Sequence, residues 1–147
     1  MHIVQDNIWN WVGRCDALCI TTNGIVKSNG ELVMGAGIAK QARDWIPGLA
    51  RAAGQAVRKN GLRTELMGSF CKEGTKIVLL PTKNHWRDPS PLELVLKSMS
   101  QLEQLVDERN WRTVAFTPPG CGHGGHKWSD IQQHIRHLDD RFVCVRR

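Results

Sequence analysis

The chain has 147 residues, 41% of them hydrophobic and 23% charged, and its 20 Lys+Arg against 14 Asp+Glu leave a formal net charge of +6. That length suits a single domain able to bury roughly 70% of its unfolded surface, and the positive balance favours polyanionic partners: nucleic acid, nucleotide or phosphate. No apolar run approaches the roughly 20 residues of a membrane span, and Met1–Gly13 lacks the basic start and apolar stretch of a secretory leader, which makes the cytoplasm the expected location.

The expected elements alternate in the manner of an α/β fold. His2-Ile3-Val4 opens as a short strand. Ala17-Leu18-Cys19-Ile20 is a continuous apolar run, as in strands covered on both faces, and it ends at Thr21-Thr22-Asn23-Gly24. Ile38 to Trp45 reads as a helix with Ile38, Ala42 and Trp45 on one side. Pro47 stops it and suits the first position of a second helix reaching about Lys59, closed by Asn60-Gly61. Strands near Leu66 to Cys71 and Lys76 to Leu80 flank a Glu73-Gly74 turn. Ser90 and Glu93 suggest a capping box with Pro91 at the first helical position. The helix that follows runs to about Glu108, with Leu92, Val95, Leu96, Met99, Leu102 and Val106 at helical spacing. Thr113 to Phe116 is another buried strand. Ser129 and Gln132 suggest a second capping box, above an Ile131, Ile135 and Leu138 stripe. Phe142 to Val145 forms the last strand.

Five cysteines (Cys15, Cys19, Cys71, Cys121, Cys144) make an odd count with no C-x-x-C pair. Cys19 and Cys144 fall in strand-like runs, where a thiol behaves as a small hydrophobe, so no disulfide framework is expected.

Three segments that follow apolar runs carry chemistry. In the first, Asn23 is followed by Met34-Gly35-Ala36-Gly37-Ile38 at a helix start. There free N–H groups and the helix dipole suit an anion, and the Asn23 amide suits a ribose hydroxyl. In the second, Lys83 lies within Pro81-Thr82-Lys83-Asn84-His85-Trp86-Arg87. It could serve as a fixed cation, or as an amine nucleophile if burial and neighbouring cations lower its pKa. His85, Trp86 and Arg87 add a titratable ring, a stacking surface and a second cation. In the third, Pro119-Gly120-Cys121-Gly122-His123-Gly124-Gly125 is dense in glycine, which lets backbone N–H groups approach phosphate oxygens. Cys121, His123 and His126 have zinc-ligand chemistry, but no fourth ligand stands at a recognised spacing and the glycines would make a floppy chelate, so no metal is expected. His134 and His137 read as solvated histidines on the polar side of their helix. Strands ending in anion loops, with a lysine beside them, point to a ligand containing a diphosphate.

In this order the segments resemble the macro domain family over essentially the whole chain. The likeness is to the branch that holds the bacterial DNA ADP-ribosylglycohydrolase antitoxins and the terminal ADP-ribose protein glycohydrolase. The resemblance implies one domain over residues 1–147, a three-layer α/β/α macro domain with a mixed, roughly six-stranded central sheet. It implies ADP-ribose attached to a macromolecule as the ligand, with no cofactor, no membrane and a monomeric enzyme. Lys83 and Asn23 would be the catalytic pair, Asn23 on the distal ribose and Lys83 near the anomeric carbon. In that branch the lysine either attacks this carbon or assists ring opening and departure. Asn7 and Ile8 would lie at the adenine, Asn7 standing where the family usually has an aspartate. Thr22, Gly35, Ala36, Gly37 and Ile38, with Thr82, would complete the first part of the ligand site. Pro119, Gly120, Cys121, Gly122, His123, Gly124 and Gly125 would cradle the diphosphate from the other side. His85, Trp86 and Arg87 would face the macromolecule. The protein-directed relative carries an acid where this chain has Gly124, whereas the antitoxin branch has glycine. With the net charge, that favours ADP-ribosylated DNA over protein. The alternatives are a Glu/Asp-directed hydrolase, a non-catalytic reader, and a phosphatase or deacetylase acting on a free ADP-ribose derivative.

Overall fold

The computed structural model describes residues 1–147. In chain order the elements are β1 (His2–Gln5), a 3-10 turn (Ile8–Trp11), β2 (Ala17–Thr22), α1 (Gly37–Trp45), α2 (Leu49–Asn60), β3 (Glu65–Lys72), β4 (Thr75–Pro81), α3 (Leu92–Arg109), β5 (Val114–Phe116), a second 3-10 turn (Gly122–Gly124), α4 (Trp128–Ile135) and β6 (Phe142–Arg146). The six strands form one sheet in the order β1-β6-β5-β2-β4-β3. All neighbours pair parallel except β3 with β4, which close an antiparallel hairpin. Its turn puts both Glu73 (φ 50°) and Gly74 (φ 85°) in the left-handed region, the backbone that a two-residue hairpin demands.

Side-chain alternation along the parallel strands builds two cores. Leu18 and Ile20 of β2 point to the layer made with α1 and α2, together with Leu32, Met34, Ala42, Leu49, Ala53, Ile77 and Leu79. Ala17 and Cys19 point to the opposite layer, with Val78, Leu80, Val95, Met99, Leu102, Phe116, Ile131 and Ile135. This is the expected three-layer α/β/α arrangement with a mixed six-stranded sheet. Two buried polar braces tie α3 to the sheet side: Ser98 Oγ donates to the Pro81 carbonyl, and Thr64 Oγ1 donates to the Ser98 carbonyl at 2.7 Å. No helix is long and apolar enough to cross a membrane.

Several local expectations are corrected. Neither capping box forms. Pro91, extended at φ −63° and ψ 130°, occupies the cap position of α3 instead of its first turn, and Ser90 makes no capping bond. Its hydroxyl is buried without a partner beneath the glycine loop. Ser129 lies inside α4, where Lys127 is the cap residue and no side chain bonds the helix end. Pro47 stands in the turn before α2, because the residue joining the two helices is left-handed at φ 83° and is Gly48. On α3, Leu92 falls outside the core at 36% exposure, and the buried stripe runs from Val95 through Ser98, Met99, Leu102 and Val106.

Candidate functional site

The five parallel strands all end at one edge of the sheet, where ligands sit in open α/β folds. A cleft of about 1040 Å³ opens there, lined from the ends of β1, β2, β4, β5 and β6 and from the loops that follow them. Strands β4, β2 and β5 are direct neighbours, so the segments after them, distant in sequence, meet in space.

After β2, Asn23 is buried and its amide is tied on both sides. Nδ2 donates to the Val33 carbonyl at 2.9 Å, and Oδ1 accepts from the Ile25 N–H at 3.0 Å. These bonds pin the base of a small hairpin in which Val26 pairs with Leu32. An amide has two N–H donors and two acceptor lone pairs, so one of each remains for a ligand hydroxyl. The chain then enters α1 through Gly35, Ala36 and Gly37. The start of α1 has no side-chain cap and no acid in its first turn, which leaves its N–H groups and positive dipole end for an anion. A methyl group at Gly35 would meet no protein atom within 4 Å. The space beside it belongs to the cleft.

After β4, the Thr22 carbonyl accepts from both the Thr82 N–H (3.0 Å) and the Lys83 N–H (3.3 Å), which turns the chain at Lys83. The half-buried Lys83 donates through Nζ to the Trp86 carbonyl at 3.2 Å. Trp86 is 48% exposed, with the Arg87 guanidinium 5.0 Å from its ring centre and the His85 ring tilted beside it at 5.1 Å. The Arg87 N–H donates to His85 Nδ1 at 3.1 Å.

After β5, the glycines of the second loop answer different demands. Gly120 combines φ 76° with a packing limit: a Cβ there would lie 2.8 Å from Val95 Cγ2. At Gly124 a Cβ would lie 2.6 Å from the Ser90 hydroxyl. Gly122 and Gly125 are left-handed, at φ 66° and 89°, with open space around them. The loop is bonded rather than floppy. His126 N–H donates to the Gly120 carbonyl at 3.0 Å, Ser90 N–H donates to the Gly124 carbonyl at 2.9 Å, and His126 Nε2 donates to the Ser90 carbonyl at 2.7 Å. The loop is thereby laid on the residue preceding α3. Cys121, His123 and His126 do not converge into a metal-ligating group. Burial pushes the Cys121 thiol up, with the Arg146 charge opposing.

Of the residues expected at the site, Asn7, Ile8, Thr22, Asn23, Gly35, Ala36, Gly37, Ile38, Thr82, Lys83, Trp86, Arg87, Gly120, Cys121, Gly122, His123 and Gly124 line the cleft. Pro119, Gly125 and His85 do not. Pro119 is buried behind the loop, and His85 flanks Trp86. Among the unforeseen lining residues are Asp6, Gln41, Ser90, Thr117, Val145 and Arg147. Asn7 spends its side-chain oxygen on the Trp9 N–H, capping the 3-10 turn. The acid at this end is Asp6, whose carboxyl is held below its usual range by the Asn10 amide at 2.9 Å and the Asn7 N–H at 2.7 Å. It is the one acidic side chain among the lining residues. Gln41 is reached through Trp9, whose Nε1 donates to Gln41 Oε1 at 2.7 Å. Only Asn7 and Ile8 were expected at this end of the cleft. Nothing in sequence spacing pointed to Arg147.

Comparison with known proteins gives a consistent match. The family model of the macro domain matches residues 27–135. A DNA ADP-ribosyl glycohydrolase of Mycobacterium tuberculosis is 32% identical over 128 residues, covering 84% of this chain and 36% of the relative. The chain thus spans about a third of the length of that relative. Among solved structures, the macrodomain of Mycobacterium tuberculosis DarG superposes with a TM-score of 0.77 at 28% identity, covering 98% of this chain and 96% of the other. The macrodomain of Thermus aquaticus DarG superposes with a TM-score of 0.82 at 28% identity, over 99% and 97%.

Proposed function

The chain belongs to the macro domain family, and on that premise we propose that it is a hydrolase that removes mono-ADP-ribose from a macromolecule, with a DNA base as the preferred attachment. The observation that carries this reading is that Lys83 lines the same cleft as the two glycine-bearing loops, Gly35–Gly37 and Gly120–Gly124. In this reading the α1 N-terminus and the Gly120–Gly124 loop hold the two negative charges of the diphosphate. Asp6, with Asn7 and Ile8, receives the adenine end, where a carboxylate accepts from the adenine amino group. Asn23 offers its remaining donor and acceptor to the distal ribose.

That orientation brings the anomeric carbon to Lys83. The reaction consumes one water: the bond from the anomeric carbon to the base breaks, the ribose gains a hydroxyl and the base regains a proton. Lys83 acts at this carbon in one of two ways, as the attacking amine or as the cation that assists ring opening and departure of the base. Borohydride trapping during turnover separates them, since only the amine route leaves a reduced adduct on Lys83.

The DNA preference rests on three features: the net charge of +6, the names of the relatives, and the exposed Trp86 ring backed by Arg87 just past Lys83. A flat aromatic surface at that point suits a departing nucleobase. We place the reaction in the cytoplasm and the protein as a monomer. The exposed large apolar side chains Ile3, Trp45, Trp86 and Leu92 come from separate segments.

The test is to incubate the protein with mono-ADP-ribosylated single-stranded DNA and, separately, with an ADP-ribosyl-glutamate protein, beside Lys83→Ala. Free ADP-ribose is released from DNA by the native protein, and the substitution slows release by about 10²–10⁴-fold, the range of a general acid–base contribution. Release from protein alone would overturn the DNA preference. Binding of ADP-ribose without release from either substrate would make the domain a reader.

A further inference from the structure

We propose that the hairpin between Asn23 and Val33, together with the outer face of α2, forms a phosphate track for the single-stranded DNA that flanks the modified base. This deepens the hydrolase reading and rests on it for the choice of strand. Lys27 sits at the hairpin tip, while Arg51 and Arg58 lie seven residues apart on α2, two turns along one face. All three are exposed, and none has a carboxylate within ion-pair distance.

The convergence is built into the backbone. Gly54, midway between the two arginines, brings α2 so close to the hairpin that a Cβ there would lie 2.0 Å from the Gly30 carbonyl oxygen. The Leu32 N–H donates to the Ala50 carbonyl at 2.9 Å, tying the hairpin to the same helix. Both arginines then flank the turn. A Cβ placed on Gly30 would lie 3.7 Å from Arg58 Nη1 and 4.0 Å from Arg51 Nη1, and Arg58 Nη2 donates to the Lys27 carbonyl at 3.2 Å. The one acid at the turn, Glu31, receives the Asn29 amide at 2.8 Å.

The hairpin also stands at the reacting end of the cleft. Its base residues, Asn23 and Val33, line the cleft, and the Gly24 N–H donates to the carbonyl of Asn84, next to Lys83, at 3.1 Å. Lys27 is four residues from Asn23, at most about 14 Å along an extended chain. Three cations without a carboxylate partner, clustered around the hairpin that begins at Asn23, and the exposed Trp86 ring three residues past Lys83 supply the stacking surface and basic groove used to hold single strands.

The probes are a short single-stranded oligonucleotide carrying one ADP-ribosylated base and the same ADP-ribosylated nucleoside without flanking phosphates. They are compared for the native protein and the triple variant K27A/R51A/R58A. Each single-strand phosphate contact contributes about 0.7 to the slope of log affinity against log salt, so three make binding about 20-fold salt-sensitive between 50 and 200 mM. The expected result is a raised KM for the oligonucleotide in the variant, a salt slope reduced by about 2, and unchanged turnover of the nucleoside. Equal oligonucleotide kinetics and salt slopes in the two proteins would overturn the track and leave the hydrolase reading standing. If the native protein releases ADP-ribose from neither probe, the DNA-directed hydrolase reading fails. Fluorescence anisotropy with unmodified single-stranded DNA then decides the track: tighter, salt-dependent binding by the native protein supports it, and identical curves sink it.

Discussion

Replacing Gly54 by alanine sets helix propensity against packing. In an exposed helix the change stabilises by up to about 1 kcal/mol, because glycine has more backbone freedom to lose. Here the new methyl would sit 2.0 Å from the Gly30 carbonyl oxygen and 3.0 Å from the Leu32 nitrogen. An ordinary carbon–oxygen contact is about 3.3 Å or more, so the hairpin must withdraw by over about 1 Å. Both obstructing groups are backbone, and no rotamer change relieves them. Overpacking of this kind costs about 1–3 kcal/mol. The Leu32-to-Ala50 hydrogen bond, stretched by the same movement, adds about 0.5–1.5 kcal/mol. Subtracting the propensity gain leaves a net loss of about 2 kcal/mol, or about 6 °C in Tm for a chain of this size. Calorimetry with paired ADP-ribose titrations measures both consequences, since a displaced hairpin also disturbs the bonds that orient Asn23. A Gly54→Ala protein at least as stable as the native one, with unchanged ADP-ribose affinity, would refute the reasoning, because the close approach would then carry no weight.

Gly124→Asp is expected to weaken ADP-ribose binding and lower Tm, since its Cβ would press on the Ser90 hydroxyl; S90G/G124D recovers Tm in the same thermal scan, and failure of that rescue would locate the clash elsewhere. Ser98→Ala removes the brace between α3 and the Pro81 carbonyl, and chemical denaturation should report a loss of about 1–3 kcal/mol for the orphaned acceptor. Alkaline pH provides a further check. Burial pushes the Cys144 thiol up to about 12 and the Cys19 thiol higher still, from an ordinary 9.0. The folded state therefore keeps these protons while the unfolded state loses them, so the stability is fully present below about pH 9 and falls as pH rises towards 12, by about 1.4 kcal/mol per pH unit for each thiol. Denaturation curves at rising pH should show a shallower decline for Cys144→Ala than for the native protein, and parallel slopes would contradict the assignment.

The strands and the long helix were legible because their signals are local. A strand covered on both faces is an unbroken apolar run, and α3 carries its stripe in its own spacing. The lining loops were legible from where they fall: each follows an apolar run, and in an open α/β sheet the strand ends are where a ligand sits. The errors share a cause as well. Ser90 carries an N-cap side chain, but the glycine loop folds over it and takes its backbone N–H. Pro47 suits a first helical turn, but the α1–α2 corner requires a left-handed residue and Gly48 supplies it. Asp6 acquires its position only when β1 pairs with β6, and no local pattern records that pairing. Gly54 went unread, because a lone glycine inside a helical pattern registers only as a cost to the helix, and the partner it accommodates is a hairpin more than twenty residues upstream.

The placement of Lys83 shows how far the site depends on register rather than on motif. β2 pairs with β4 so that Thr22 stands beside Pro81. Proline has no N–H to give, and the ladder's next bonds come from Thr82 and Lys83, both to the Thr22 carbonyl. That shared acceptor ends the strand and starts the turn whose Trp86 carbonyl receives the lysine ammonium. Asn23 follows Thr22 directly and begins the opposite wall. The Asn23 amide and the Lys83 amine are thus positioned by the end of one strand and the two bonds its last carbonyl accepts. A slip of β4 by one residue would carry Pro81 past the acceptor and turn alternate side chains to the other face of the sheet. The sequence Pro81-Thr82-Lys83 therefore does structural work before any chemical work: the proline marks the end of pairing, and the lysine falls where the chain first leaves the sheet.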